Sequence, residues 1–152
     1  MIEKRARHLL IIGGGIFQVP AIKVAKSMGL KVVVTDYNRE AEGMLMADYP
    51  IEVSTRNINL TVNAAKQFHA SCPLDGVMTV GIDASQTVSA VANALNLPGI
   101  PFEVAERATD KINMRRWLNK MGVAVPRFLP VWTMDDLTKA MEEIPLPLVI
   151  KP

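Results

Sequence analysis

Short apolar runs alternate along this chain with stretches whose apolar residues recur at helical spacing. The first run, His8 to Ile12, is apolar at every position from Leu9, the pattern of a strand covered on both faces, and it stops at Gly13-Gly14-Gly15. Phe17, Ala21, Val24, Ala25 and Met28 then predict a helix with Pro20 in its first turn and Gly29 as its stop. Lys31 to Thr35 predicts a second strand ending at Asp36, followed by a short helix over Arg39 to Met46 and a third strand over Tyr49 to Ser54. Leu60, Ala64, Ala65 and Phe68 form the next helical stripe, and Gly76 to Val80 the fourth strand. Asp83 is placed to cap a helix whose apolar face is Ala84, Val88, Val91, Ala92 and Leu95, after which Leu97 to Pro101 predicts a turn and a short fifth strand. Strand and helix in strict alternation define the fold class as α/β: a Rossmann-like, mostly parallel sheet flanked by helices, over residues 1–101.

From 102 to 152 the character changes. Thr109 is expected to cap a charged helix from Asp110 to Met121 that Gly122 ends, and Val123 to Trp132 carries two prolines in an extended segment suited to a linker or edge strand. Thr133, with Asp135 and Asp136 in the first turn, opens a last helix with the stripe Leu137, Ala140, Met141 and Ile144. The final run, Leu146-Pro147-Leu148-Val149-Ile150-Lys151-Pro152, begins a strand with nothing after it to pair with, so the sequence is expected to be a fragment of a longer protein, engineered or proteolytic.

Composition narrows the class without naming a function. Hydrophobic residues are 49% and charged residues 21% of 152, the balance of a folded globular protein. Seventeen basic against 15 acidic residues give a net charge of +2, and the densest basic run, Lys4, Arg5 and Arg7, reads as a solvated lead-in to the first strand, so no nucleic-acid footprint is expected. A single cysteine, Cys72, excludes an internal disulfide and points to the cytoplasm; no apolar run approaches the ~20 residues of a membrane helix. The basic start before Leu9 lacks a cleavage region and is not read as a signal peptide. His8 and His69 have no partners at metal-ligand spacing, and methionines such as Met114, Met121 and Met141 fall at apolar helical positions, where core packing is expected.

The glycine triplet sits where a strand hands over to a helix, a place at which backbone N–H groups can approach an anion, phosphate or carboxylate, closely. As a dinucleotide fingerprint it is incomplete: Gly13 and Gly15 fit, but Gln18 stands at the third glycine position, while Asp36 lies 23 residues (36 − 13) after Gly13, close to the ~20 of a ribose-binding acid. Thr79-Val80-Gly81-Ile82-Asp83 follows the fourth strand at the same carboxyl edge, where open α/β sheets bind ligands, and Asp83 reads equally as helix cap or ligand contact. Lys111 in the first turn of a helix and Lys151 at the end of an apolar strand are candidate phosphate contacts.

The order of these motifs, with Asp110-Lys111, Met114-Arg115, Gly122 to Pro126 and Pro147 to Pro152, resembles the ATP-grasp superfamily across essentially the whole chain, including biotin carboxylase, carbamoyl phosphate synthetase and the purine-pathway carboxylate ligases. The resemblance implies a pre-ATP-grasp domain over 1–101 and the linker helices and first strand of an incomplete ATP-grasp domain over 102–152. It implies an ADP-forming ligase that uses ATP and Mg2+ to make an acyl phosphate from a carboxylate and passes the acyl group to an amine or other nucleophile. Lys111 and Lys151 would contact nucleotide phosphates, while the loops Gly13-Gly14-Gly15-Ile16-Phe17-Gln18 and Gly81 to Asp83 would touch the carboxylate or acceptor. Catalytic and magnesium-binding residues are expected beyond residue 152, so the 152 residues alone are expected to be inactive. The partners would be small molecules, with a homodimer possible, and neither nucleic acid nor membrane. An NAD(P)- or flavin-binding Rossmann domain of an oxidoreductase is the alternative.

Overall fold

The computed structural model describes residues 5–151; Lys4 of the basic run and Pro152 lie outside them. The described residues divide into two compact units, the first ending at Thr109 and the second beginning at Asp110.

In the first unit the strands β1 (His8–Ile12), β2 (Lys31–Asp36), β3 (Tyr49–Glu52) and β4 (Leu74–Met78) form one parallel sheet in the order β3-β2-β1-β4. The helices α1 (Val19–Ser27), α2 (Glu42–Met46), α3 (Ile58–Ser71), α4 (Ser85–Ala94) and α5 (Phe102–Thr109) complete it. Chain order runs outward from β1 to β3 and then returns to β4 on the other side of β1. The strand order therefore switches between β1 and β4, and a crevice at the carboxyl ends of those two strands is the place such sheets offer a ligand.

Strand alternation sorts the core into two layers. Leu10 and Ile12 of β1 with Val33 of β2 face Ala65, Ala84 and Val91 of the α3–α4 side. Ile11, Val32 and Val34 point the other way, onto Ile22 and Ala25 of α1 and Met44 of α2. All of these are essentially excluded from water, which is why β1 and β2 read as continuous apolar runs.

The expected fifth strand does not form. Leu97 to Pro101 is irregular, its turn held by Leu97 N–H donating to the Ala92 carbonyl at 2.9 Å, and the chain enters α5, which packs on α4 and keeps the first unit running to Thr109. Two predicted caps also move by one residue. Ala84, not Asp83, precedes α4, and no side chain caps that helix. Asp110, not Thr109, caps the following helix, its carboxylate accepting from the Ile112 and Asn113 N–H groups, both at 2.9 Å.

The second unit contains α6 (Lys111–Lys120) and α7 (Met134–Glu143). Thr133 opens α7 as expected, and with Asp136 it forms a reciprocal capping box. Little else there is buried: α6 buries no residue, and Met121 and Met141 are 62% and 53% exposed, so they are not core positions here. Residues 146–151 form no strand, and Lys151 is exposed in irregular chain.

At the amino edge of the sheet, Asp75 accepts from His8 N–H at 2.8 Å and pairs with Arg5 at 2.6 Å. Burial works against its charge, but the His8 N–H and the Arg5 guanidinium outweigh it and hold the carboxyl below its ordinary 3.8. A depressed carboxyl stabilises the fold above its unfolded value, and the benefit is lost as pH falls through the folded one. Asp75→Asn is expected to lower stability by about 1–2 kcal/mol at neutral pH. The gap from the native protein should narrow below pH 3.8, as urea unfolding on either side of that value will measure.

Candidate functional site at the carboxyl edge of the sheet

The β1–α1 loop is built by close packing. Gly13 leaves β1 with φ +99°, its N–H donating to the Thr35 carbonyl at 2.8 Å, and a Cβ there would lie 2.8 Å from Ile82 Cδ1. A Cβ on Gly14 would lie 2.8 Å from Met44 Cγ, and the Gly14 carbonyl accepts from Gly43 N–H at 2.6 Å. Gly14 N–H donates to Asp36 Oδ2 at 2.8 Å, while Asp36 Oδ1 accepts from Asn38 N–H at 2.9 Å. The acid spaced for a ribose is thus engaged in the loop itself, as an internal anion at the glycine amides. What remains for a ligand are the N–H groups of Gly15, Ile16 and Phe17, which find no acceptor among the described residues as they open a short 3-10 turn (Ile16–Gln18) leading into α1.

Gln18 carries the connection to the second loop. It is 1% exposed, and its Nε2 donates to the Val80 carbonyl across the switch point. Thr79 Oγ1 adds a second tie by donating to the Ile12 carbonyl at 2.7 Å. Gly81, at φ +71°, lies so close that a Cβ would sit 2.8 Å from Phe17 Cβ. Gly13, Gly14, Gly15, Phe17, Gln18 and Gly81 are therefore brought together. Gln18 stands where a third fingerprint glycine would serve close packing of helix on strand, and its side-chain amide lies 3.2–3.4 Å from where Cβ atoms on Gly13 and Gly15 would be. The Phe17 side chain itself is 70% exposed.

Asp83 faces a neighbouring cavity of about 280 Å³, lined by Thr55, Arg56 and Ile58 after β3, by Ala84, Gln86 and Thr87 at the start of α4, and by Thr109. The sequence reading missed Arg56 and Gln86. Their signal was positional: Thr55 and Arg56 follow β3 and so stand at the same carboxyl edge as the other two loops.

Lys111 and Lys151 both belong to the second unit, each exposed and outside every ion pair among the described residues. Among the described residues no group of three or more His, Cys, Asp or Glu side chains could hold a metal ion, and no helix is long and apolar enough to cross a membrane.

A parallel four-stranded α/β unit whose glycine loop is locked to the loop after β4 belongs to a definite class, because residues 22–99 match the ATP-grasp N-terminal domain. This chain belongs to that family. It is 24% identical over 152 residues to the formate-dependent phosphoribosylglycinamide formyltransferase of Prochlorococcus marinus strain MIT 9301, across 96% of this chain and 37% of that protein. The crystal structure of phosphoribosylglycinamide synthetase from Anaerococcus prevotii superposes with a TM-score of 0.71 at 26% identity, covering 94% of this chain and 36% of that one. The L-amino acid ligase from Bacillus licheniformis superposes with a TM-score of 0.69 at 26% identity, over 88% and 35%. The chain thus spans about 37% of the length of the curated relatives it matches first.

Gln18→Ala removes a buried side chain and the bond that ties the two loops. The expected cost is about 2–4 kcal/mol by urea denaturation, with hydrogen exchange speeding up at the amides of both loops rather than at the first alone.

Proposed function

We propose that this chain is the front part of an ADP-forming, ATP-dependent ligase that joins a carboxylate to an amine or related nucleophile. The observation that carries the reading is the locked pair of loops at the β1/β4 switch point, in a chain of the ATP-grasp N-terminal family. When bound, ATP with magnesium supplies the phosphoryl group that turns the carboxylate into an acyl phosphate, and the nucleophile then displaces phosphate.

This chain's own residues do three things in that reaction. The loop of Gly15, Ile16 and Phe17 presents its amides to the anionic part of a substrate, the open N-terminus of a helix being favourable for negative charge. Gln18 holds that loop in register with Gly81 and Asp83, so the substrate meets a preformed edge. Lys111 and Lys151 fit the nucleotide's phosphates, since each is an exposed cation with no ion-pair partner among the described residues. No described residues are assigned to magnesium. The proposed setting is a cytoplasmic enzyme acting on small molecules.

The oxidoreductase alternative is disfavoured by two features: Asp36 is held by Gly14 and Asn38, and Gln18 stands in place of the third fingerprint glycine with its buried amide committed to the Val80 carbonyl.

The test compares the 152-residue chain with the longest natural polypeptide that carries it. The longer protein is expected to bind ATP in calorimetry and release ADP only with magnesium and a carboxylate, the short chain to do neither, and both to ignore NAD. Lys111→Ala and Lys151→Ala in the longer protein should each weaken ATP binding about tenfold or more. Micromolar NAD binding by the short chain would sink the reading.

A further inference from the structure

The cavity beside α4 holds charge that the fold does not use. Arg56 is exposed, and its side chain enters no ion pair or hydrogen bond among the described residues; only its backbone N–H bonds, to Ser54 Oγ at 3.4 Å. Asp83 lines the same cavity, is in no ion pair among the described residues, and its carboxylate accepts from the Ser85 hydroxyl at 3.4 Å.

The rest of the polar lining is satisfied internally, which fixes its direction. Thr87 Oγ1 donates to the Thr55 carbonyl at 2.8 Å, tying the first turn of α4 to the connection after β3. Gln86 Nε2 donates to Thr109 Oγ1 at 2.7 Å, and Thr109 Oγ1 lies 3.0 Å from the Glu106 carbonyl, to which it can donate in turn. Gln86 Oε1 accepts no hydrogen bond among the described residues and is left as an acceptor for a ligand. Helix α4 also opens here without a side-chain cap, so its first N–H groups add to the pull of Arg56 on an anion.

We infer that this cavity binds the α-carboxylate and α-ammonium groups of a free amino acid, the carboxylate toward Arg56 and the start of α4, the ammonium toward Asp83 and Gln86 Oε1. A simple anion such as phosphate would meet Asp83 unpaired, and a simple amine would meet Arg56. A ligand carrying both charges on one small body answers each. The volume agrees: about 280 Å³ falls just below the ~300–1,000 Å³ of sites for drug-sized ligands, and so suits an amino acid rather than a nucleotide. That the amino acid is a substrate rests on the ligase reading; that it binds does not.

The test is a titration of the 15N-labelled 152-residue chain, without ATP, by L-alanine, L-leucine and L-glutamate in parallel, with propionate, ethylamine and inorganic phosphate as single-charge controls. At least one amino acid is expected to shift the amides of Thr55, Arg56, Gln86 and Thr87 together and to bind at least tenfold more tightly than any control. Arg56→Gln and Asp83→Asn, both at exposed positions and checked for an unchanged remaining spectrum, should each weaken that amino acid about tenfold or more. Phosphate or propionate binding as well as the best amino acid, indifference to Asp83→Asn, or no shift with any of the three amino acids would each overturn the inference. Because ATP is absent, failure here is distinct from failure of the ligase reading, which ATP binding by the longer protein decides.

Discussion

The arrangement at the carboxyl edge hangs on one buried side chain. Gln18 sits at the hand-over into α1, almost wholly excluded from water, and spends its amide on a backbone carbonyl of the opposite loop. A buried amide without that acceptor would carry its full desolvation cost, so the Val80 carbonyl and Gln18 hold each other in place. With the Thr79 hydroxyl bonded to the end of β1, the point at which strand order reverses becomes a fixed surface rather than two independent loops. Gly13 and Gly81 follow from this closeness, since a methyl group at either would collide with Ile82 or Phe17.

The two edges of the sheet show how charge divides between holding the fold and serving a ligand. Asp36 is consumed by the amides of Gly14 and Asn38, and Asp48 by Val32 N–H and the ammonium groups of Lys26 and Lys31. For Asp48 burial opposes the charge, but the Val32 N–H and the two lysines keep its carboxyl below the ordinary value. Arg56 and Asp83 stand apart from this economy. Exposure costs a charged group little, so standing outside any ion pair among the described residues carries no penalty to folding and leaves both available to bind.

The second unit obeys different physics. Its helices start well, with Asp110 capping α6 and the Thr133–Asp136 box opening α7, yet they bury almost nothing beyond Ala140. Local capping sets where a helix begins, whereas burial needs partners for its apolar face. Trp132, Met134 and Val149 are at least 74% exposed accordingly.

The sequence by itself determined the elements whose signal is local. Continuous apolar runs marked β1 and β2 because both faces of a parallel sheet are covered, and the glycine triplet and the start of α7 at Thr133 showed within a few residues. Only the tertiary structure decided what those residues meet. Whether Asp36 would face a ribose or its own loop, whether Gln18 would be an exposed misfit or the buried tie, and that Arg56, Gln86 and Asp83 share one cavity all depend on strand order and on contacts between residues far apart in the chain. The missing fifth strand has a local origin instead. Pro98 and Pro101 have no N–H to give a sheet ladder and Gly99 favours a turn, so Leu97 to Pro101 is irregular where the chain enters α5 and packs on α4.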